Sequence, residues 1–251
     1  MRNLPLHTPP HIQRMSSLLN FFPCRVSRGV RSRTSGLILT LALAFLLFPS
    51  PSSASTIGLP GNYLTLSRGL VGYWPLDGKT TNWATGKTND LSGHGNTGQL
   101  INMSTSTSPV PGKIGGALKF NGSTSYVSEG TSISNIQSVA FWAKATTGVS
   151  QGLINLTGSS VYISTNASSV ISGTGFTSPT YYVDGLASTT PGLYDANWHH
   201  IVVTGTAAIT GSQIEVGRAN SVYFGGTIDD VRVYNRALSA SEVQELYSMG
   251  R

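Results

Sequence analysis

Acidic side chains are the groups of this chain best suited to catalyse hydrolysis. Their positions in the sequence argue against that role. A glycosidase of the two-carboxylate type needs two acidic side chains that converge on one cleft. Glutamates are scarce beyond residue 54, and none belongs to a closely spaced acidic pattern on a strand: Glu129, Glu215, Glu242 and Glu245. The last two fall on a predicted terminal helix, where capping or solvation explains them. Glycoside hydrolysis by this route is therefore not expected.

Nucleophilic catalysis lacks the usual residues as well. The only cysteine is Cys24, and no G-x-S-x-G motif is present. His199 and His200 lie within a predicted strand, where successive side chains face opposite ways, so one of them is expected to point inward. A hydrogen-bonded structural histidine is then favoured over a general base. The residues predict a protein that is not an enzyme.

Calcium is the favoured metal, with Asp77 and Asp229 as its candidate ligands. Calcium binds about six to eight oxygen atoms from carboxylates and backbone carbonyls. Asp229 has the same strand parity as Val231 and Val233, so its charge is expected on the core side, where it needs hydrogen-bond donors or a cation. The glycine-rich loop from Asp90 to Gly98 could add carbonyl oxygens. The alternative is that both aspartates accept backbone N–H groups in turns, and no His/Cys cluster has zinc spacing.

Exposed aromatic rings are the usual platform for sugars, and several could serve. Trp83 is the strongest candidate because it lies in the polar stretch 80–89. The alternative for each ring is ordinary packing. The full set of candidate ligand-binding residues is Trp83, Tyr181, Tyr182, Tyr194 and Tyr223.

The formal net charge of +6 is misleading about partners. Six arginines precede residue 36 and no acid accompanies them, whereas residues 55–251 contain ten Lys plus Arg and ten Asp plus Glu. The body of the protein is neutral and has no phosphate-binding basic face. A nucleic-acid partner is not expected.

The basic start belongs to a predicted export signal over residues 1–54. An apolar run of 12 residues, 37–48, follows the arginines, and small residues at Ser52 and Ala54 suit cleavage. Bilayer spanning takes about 20 apolar residues, so an uncleaved membrane anchor is the less favoured alternative. Translation could begin at Met15. Either way the rest of the chain is expected to be secreted or at the cell surface, without thiols or disulfides.

Short alternating apolar runs, separated by Gly, Asn, Asp, Ser and Pro, follow a predicted lead-in linker at residues 55–68. This texture predicts an all-β protein. Asp184-Gly185 is the favoured pair for a two-residue hairpin turn. The predicted strands are 70–76, 117–120, 125–127, 139–144, 152–156, 161–164, 170–172, 180–183, 199–204, 213–216, 221–224 and 227–234.

One short helix is predicted to close the chain. Ser239 and Glu242 form a capping box, in which each side chain binds the backbone N–H of the other residue. Leu238 and Val243 have the spacing of a hydrophobic staple. Val243, Leu246 and Tyr247 then form a narrow apolar stripe that could dock on a sheet.

Five sequence blocks in order resemble the bacterial laminin G-like, concanavalin A-like family. They are Leu70–Asp77 (LVGYWPLD), Asp90–Gly98 (DLSGHGNTG), Gly112–Gly122 (GKIGGALKFNG), Trp198–Val202 (WHHIV) and Gly226–Ser239 (GTIDDVRVYNRALS). The resemblance implies a two-sheet antiparallel β-sandwich of the jelly-roll type, with a short C-terminal helix, over residues 69–251. It also implies a structural calcium near the chain ends, which fits Asp77 and Asp229. The 182–185 hairpin precedes the Trp198 block, whereas many members place it after.

This fold hosts lectins, adhesion modules and glucanases alike, so the fold does not name a ligand. We predict a non-catalytic extracellular recognition module that binds carbohydrate or a cell-surface polymer. The alternatives are a structural or adhesive surface protein with a protein partner, or an accessory domain of a larger secreted enzyme. Contact with a membrane is expected only through the N-terminal segment, if it is not cleaved.

Overall fold

The structure, a computed structural model, describes residues 65–146, 150–193 and 195–251. Two eight-stranded antiparallel sheets stack face to face, which confirms the predicted β-sandwich. The predicted export signal at residues 1–54 lies outside the described residues. No helix of the three described stretches has the length and apolar character needed to span a bilayer.

The first sheet contains eight strands in the order β13-β12-β14-β8-β18-β6-β5, with β1 pairing beside β18. Its longest members, β8 and β14, lie side by side at the centre. The strands are β1 (Leu70–Trp74), β5 (Pro109–Pro111), β6 (Gly116–Asn121), β8 (Ile133–Ala145), β12 (Thr180–Val183), β13 (Leu186–Ala187), β14 (His199–Gly211) and β18 (Gly225–Tyr234).

The second sheet has the order β11-β10-β9-β15-β7-β4-β3-β2. A separate two-stranded hairpin, β16 (Arg218–Ala219) and β17 (Val222–Tyr223), follows β15 directly. The strands of the second sheet are β2 (Thr81–Asn82), β3 (Lys87–Thr88), β4 (Gly98–Ile101), β7 (Tyr126–Glu129), β9 (Gln151–Asn155), β10 (Tyr162–Thr165), β11 (Ile171–Thr174) and β15 (Ile214–Val216).

The main core lies between the sheets. It consists of the side chains that point inward from each strand. In β8, Val139, Phe141 and Ala143 are buried in this core, and their inward direction follows from the period of two. Aromatic and branched residues fill the rest of the space, among them Trp74, Phe120, Ile154, Val203, Phe224 and Val233.

A second, smaller core lies on the outer face of the first sheet, beneath helix α1 (Ala240–Ser248). Ala140, Val202 and Tyr234 supply the sheet side, and Val243 and Leu246 supply the helix side. Farther along the helix, Tyr247 stacks on Trp142 with ring centroids 5.6 Å apart. The predicted helix docks as expected.

The start of helix α1 has the predicted capping box. Ser239 Oγ accepts a hydrogen bond from the backbone N–H of Glu242, and Glu242 Oε2 accepts one from the backbone N–H of Ser239 at 2.9 Å. Arg236 donates to both carboxylate oxygens of Glu242 at 2.7 and 2.8 Å. This hydrogen bonding lowers the pKa of Glu242 to about 2.

The structure differs from the sequence prediction at several boundaries and contains short strands that were not predicted. Leu66, within the predicted linker, is buried in the second core, so residues 65–68 belong to the folded domain. Strands β2, β3, β5 and β13 have only two or three residues each, too few for a hydrophobic alternation to be visible in the sequence.

Candidate functional site

The outer faces of the two sheets differ in what lies on them. Helix α1 packs on the first sheet, whereas the β16–β17 hairpin crosses the second. Gly152 of β9 lies directly beneath this hairpin, because a Cβ added there would come within 2.8 Å of the Ala219 carbonyl oxygen. Only glycine therefore allows the hairpin to lie so close to the sheet. The candidate site is this hairpin and the sheet face around it.

Successive side chains of a strand point to opposite faces of the sheet, and this determines which side chains of the second sheet share the outer face. Ile214 and Val216 are in the main core, so Glu215 between them faces outward. In register, Glu215 lies opposite Asn155 of β9, and Asn155 lies opposite Tyr162 of β10. Directly opposite residues lie on the same face of a sheet. The outer face thus carries polar and aromatic side chains in one row.

A buried polar network anchors the hairpin to this row. Asn155 Nδ2 donates to Glu215 Oε2, and Gln213 Nε2 donates to Glu215 Oε1, each at 3.1 Å. Arg218 of the hairpin donates to Glu215 Oε1 at 3.4 Å. Glu215 is only 3% exposed, so its charge requires the guanidinium partner. The pair leaves the network with no net charge.

Two tyrosine rings flank the same arginine. The Arg218 guanidinium lies 4.9 Å from the ring centroid of Tyr126 and 5.5 Å from that of Tyr223. The two ring centroids are 6.2 Å apart at an interplanar angle of 57°. Cation–π contact and the Glu215 pair together hold the guanidinium in place. We refer to Tyr126, Tyr223 and Arg218 as the aromatic–arginine cluster.

A small pocket of about 140 Å³ lies beside the hairpin. A pocket of this volume can hold one polar ring. Tyr162 contributes an aromatic ring and Asn220 of the hairpin contributes an amide, and every lining residue is uncharged: Ser150, Gln151, Tyr162, Ser164, Thr165, Ala219, Asn220 and Val222.

Comparison with known proteins finds only distant likenesses. No protein-family model matches the chain, and no curated protein matches it. Among solved structures, domain 4 of AbnA, a GH43 extracellular arabinanase from Geobacillus stearothermophilus in complex with arabinotriose, superposes with a TM-score of 0.48 at 20% identity, over 71% of this chain and 98% of that one.

Two further structures are similar over part of their length. The binding domain of Paraclostridial Mosquitocidal Protein 1 gives a TM-score of 0.48 at 17% identity, over 72% of this chain and 52% of that one. Trypanosoma rangeli sialidase gives 0.48 at 14% identity, over 71% of this chain and 32% of that one. The chain thus spans about half of the first protein and a third of the second. Likeness at this level identifies no ligand.

The predicted aromatic platforms have different surroundings. Tyr223 belongs to the aromatic–arginine cluster. Trp83 is half-buried against the main core. Tyr181 packs there too, and its hydroxyl accepts the backbone N–H of Gly173 at 3.0 Å, which links the two sheets. Tyr182 is buried in the second core. Burial therefore makes Tyr182 a packing residue. Tyr181 is half-buried and also lines a pocket of about 410 Å³ beside β12 and β13, so its role as a platform stays a prediction.

Tyr194 lies outside the described residues. The site contains three residues that sequence reasoning missed: Tyr126, Tyr162 and Arg218. The signal for the two tyrosines was present, because each precedes a core residue of its strand, Val127 or Ile163. Alternation alone would have placed both rings on the outer face.

The predicted direction of Asp229 is wrong. Asp229 lies opposite Trp142, but the next paired residue in β18 is Arg232, so the strand contains one extra residue. Asp230, with a φ of 52°, forms this bulge. A bulge interrupts the alternation, so Asp229 shares the outer side with Trp142 whereas Val231 faces the core.

Nearby donors bind one carboxylate oxygen of each predicted metal ligand. Asp229 Oδ2 accepts the N–H groups of Lys113 and Ile114, each at 2.8 Å. Asp77 Oδ1 accepts the N–H groups of Lys79 and Thr80 and the Thr80 hydroxyl, each at 2.9 Å. Among the described residues, no group of three or more His, Cys, Asp or Glu side chains could hold a metal ion. Donors thus engage one carboxylate oxygen of each aspartate, whereas Asp229 Oδ1 is buried without a hydrogen-bond partner among the described residues. Calcium binding at Asp77 and Asp229 stays a prediction.

The glycine-rich loop at 90–98 is organised by its own aspartate. Asp90 accepts the N–H groups of Tyr73, Ser92 and Asn96. The carbonyl oxygen of Asn96, one of those expected to face an ion, accepts the indole N–H of Trp74 at 2.6 Å. The loop thus packs against β1 through hydrogen bonds.

Acid–base groups do not converge at any described cleft. Glu215 faces outward, whereas Glu129 lies opposite the core residue Ile214 and therefore faces inward. The two ring nitrogens of His199 lie 2.8 Å from Asp184 Oδ2 and 2.9 Å from Asp195 Oδ1, so neither nitrogen is available as a base. His200 is the buried histidine, as one of the pair was predicted to be.

Proposed function

We propose that this domain is a non-catalytic recognition module that binds an uncharged carbohydrate through the outer face of the second sheet. The observation that supports this most directly is the uncharged pocket at Tyr162, placed next to the aromatic–arginine cluster. A ring for stacking with amide and hydroxyl groups beside it is the usual composition of a polar ligand site. The nearest charges, Glu215 and Arg218, neutralise one another.

We further propose that the module acts outside the cytoplasm and belongs to the laminin G-like, concanavalin A-like family. The five sequence blocks support the family, and the order of basic segment, apolar run and small residues supports export. Within the folded domain the sequence contains no cysteine, which is compatible with an oxidising environment.

A binding screen with one matched pair of variants tests the ligand site. The purified domain is expected to bind neutral oligosaccharides on a glycan array. Tyr162→Ala should weaken that binding roughly tenfold, about 1.4 kcal/mol, because the stacking ring is lost. Tyr162→Phe keeps the ring and should bind nearly as well as the unmodified protein.

Two outcomes would contradict the proposal. Binding unaffected by Tyr162→Ala and by Arg218→Ala would place the ligand elsewhere on the molecule. Failure to bind any glycan, together with capture of one purified extracellular protein through the exposed Val222 edge of the hairpin, would favour the protein-binding alternative.

A further inference from the structure

The tip of the β16–β17 hairpin has an unusual backbone. Ala219 pairs with Val222, so Asn220 and Ser221 form a two-residue loop. Their φ values are 46° and 63°, as a type I′ turn requires at both positions. Among the described residues they are the only two consecutive non-glycine residues with positive φ. The second position of such a turn is normally glycine, but here it has a side chain.

A serine in this conformation is strained. Its Cβ lies close to a backbone carbonyl when φ is positive, whereas glycine has no Cβ and asparagine tolerates the region better. Such strain persists only where the surroundings hold the backbone in place, and it concentrates at ligand sites. Here the contact over Gly152 and the Arg218–Glu215 pair hold the base of the hairpin.

The two side chains at the tip make no hydrogen bond to the part of the chain that the structure describes. Both residues are exposed, and neither side chain has a hydrogen-bond partner among the described residues. Asn220 nevertheless lines the pocket that contains Tyr162. Asn220 thus contributes to the pocket lining an amide that can donate and accept, and the next residue of the turn, Ser221, supplies a hydroxyl with the same capacity.

We infer that Asn220 and Ser221 are the specificity-determining residues of this site, and that they read adjacent hydroxyl groups of an uncharged sugar unit stacked on Tyr162. The inference rests on the proposed function. Neighbouring hydroxyls match a donor–acceptor pair of this kind, whereas a carboxylate-bearing sugar would find no compensating cation in the pocket lining. The backbone strain at Ser221 is then maintained because its hydroxyl contacts the ligand.

Glycine substitutions separate stability from binding. Ser221→Gly removes the strained Cβ and should raise the melting temperature by roughly 2–4 °C, yet weaken binding roughly five- to tenfold through loss of one hydrogen bond. Asn220→Gly should weaken binding to a similar extent. The matched control is Ser178→Gly, at another exposed serine with positive φ (46°) far from this hairpin in the sequence, which should raise the melting temperature without changing affinity.

Calorimetric titration supplies the readout, with xylohexaose, cellohexaose and mannohexaose as neutral probes and hexagalacturonate as the anionic one. At least one neutral probe should bind more tightly than hexagalacturonate. Equal affinity of the unmodified protein and both tip variants for a probe that binds would overturn the inference and leave the proposed function standing. Absence of binding by the unmodified protein to every probe would instead contradict the proposed function. A melting temperature lowered by Ser221→Gly would refute the strain argument.

Discussion

Glu129 is an acidic residue enclosed between the two sheets. It is 3% exposed, and neither carboxyl oxygen has a hydrogen-bond partner among the described residues. Burial, together with the charge of Asp90, raises the pKa of Glu129 to about 9. The folded protein therefore keeps Glu129 protonated at neutral pH. An acid that is neutral in the folded state but ionised in the unfolded chain lowers the stability of the fold at neutral pH.

Replacing Glu129 by its neutral isostere should reveal that cost. The unfolded chain ionises this group above about pH 4.3, whereas the folded chain keeps the proton up to about pH 9. Stability should therefore fall as pH rises through this window. Glu129→Gln should increase the free energy of unfolding by about 2 kcal/mol at pH 8 and by much less at pH 4.5, measured by urea denaturation. Glu245→Gln on the helix surface is the control, and a variant less stable than the unmodified protein at pH 8 would contradict this account.

Asp229 is the residue at which calcium binding and plain hydrogen bonding predict different behaviour. Its carboxylate accepts two backbone N–H groups, and burial, with a contribution from Asp230, raises its pKa to about 7 despite those bonds. Asp229→Ala should cost roughly 2–4 kcal/mol, because both donors lose their partner. Asp229→Asn, which keeps an acceptor oxygen, should cost less.

Calcium should leave the melting temperature unchanged in metal-stripped protein if the backbone donors at Asp229 Oδ2 and Asp77 Oδ1 keep those oxygens from a cation. A rise of several degrees with calcium, reversed by chelation and absent from Asp229→Asn, would instead establish the calcium site that the sequence suggested.

At the scale of secondary-structure elements, His199 joins three segments of the chain. It lies at the start of β14 and contacts Asp184 in the β12–β13 turn and Asp195 in the preceding loop. A histidine can donate to both carboxylates only when both ring nitrogens carry a proton. Burial alone would lower the pKa of His199, but hydrogen bonds to Asp195 and Asp184 outweigh it and raise the pKa. These two contacts of His199 with Asp184 and Asp195, which we call the His199 clamp, are therefore strongest when His199 is protonated.

The clamp predicts a pH-dependent loss of stability. Because the folded pKa is raised, its stabilisation is complete below the unfolded value of about 6.5 and disappears as pH rises through the folded value. His199→Gln should lower the melting temperature by a few degrees at pH 5.5 and by clearly less at pH 8.5. Hydrogen exchange of the β12–β13 turn provides the local measurement. An equal loss at both pH values would show that protonation of His199 does not matter.

At the scale of the whole molecule, the sandwich keeps its two buried glutamates apart. Glu129 and Glu215 occupy opposite faces of the second sheet, and both ring nitrogens of His199 are engaged by carboxylates. The purified domain should not hydrolyse β-glucans, chitin or sialosides in a reducing-sugar assay. Turnover that survives repurification and disappears on Glu215→Gln would contradict this expectation.

Local sequence was sufficient to predict much of the fold. The alternation of β12 predicted its bounds, and Asp184-Gly185 forms the expected two-residue turn, with φ values of 52° and 82°. Ser239 and Glu242 form the predicted capping box. Such features depend on contacts within a few residues, which is why they could be predicted. The surroundings of Asp229 and Tyr182 depend on residues distant in sequence, so they could not be predicted in this way.

What tertiary structure alone decided was which face of each strand meets solvent and which groups meet there. The alternation of side chains along a strand defines two faces but does not show which face a helix covers. Tyr182 is buried under α1, whereas no helix covers Tyr126. A single extra residue at Asp230 reversed the face of Asp229, because a bulge shifts the period of two. Arg218 follows Glu215 by three residues, but Asn155 precedes Glu215 by 60 residues and meets it only when β9 and β15 pair. The physical reason is that strand periodicity is a local property, whereas burial and register depend on the packing of segments distant in sequence.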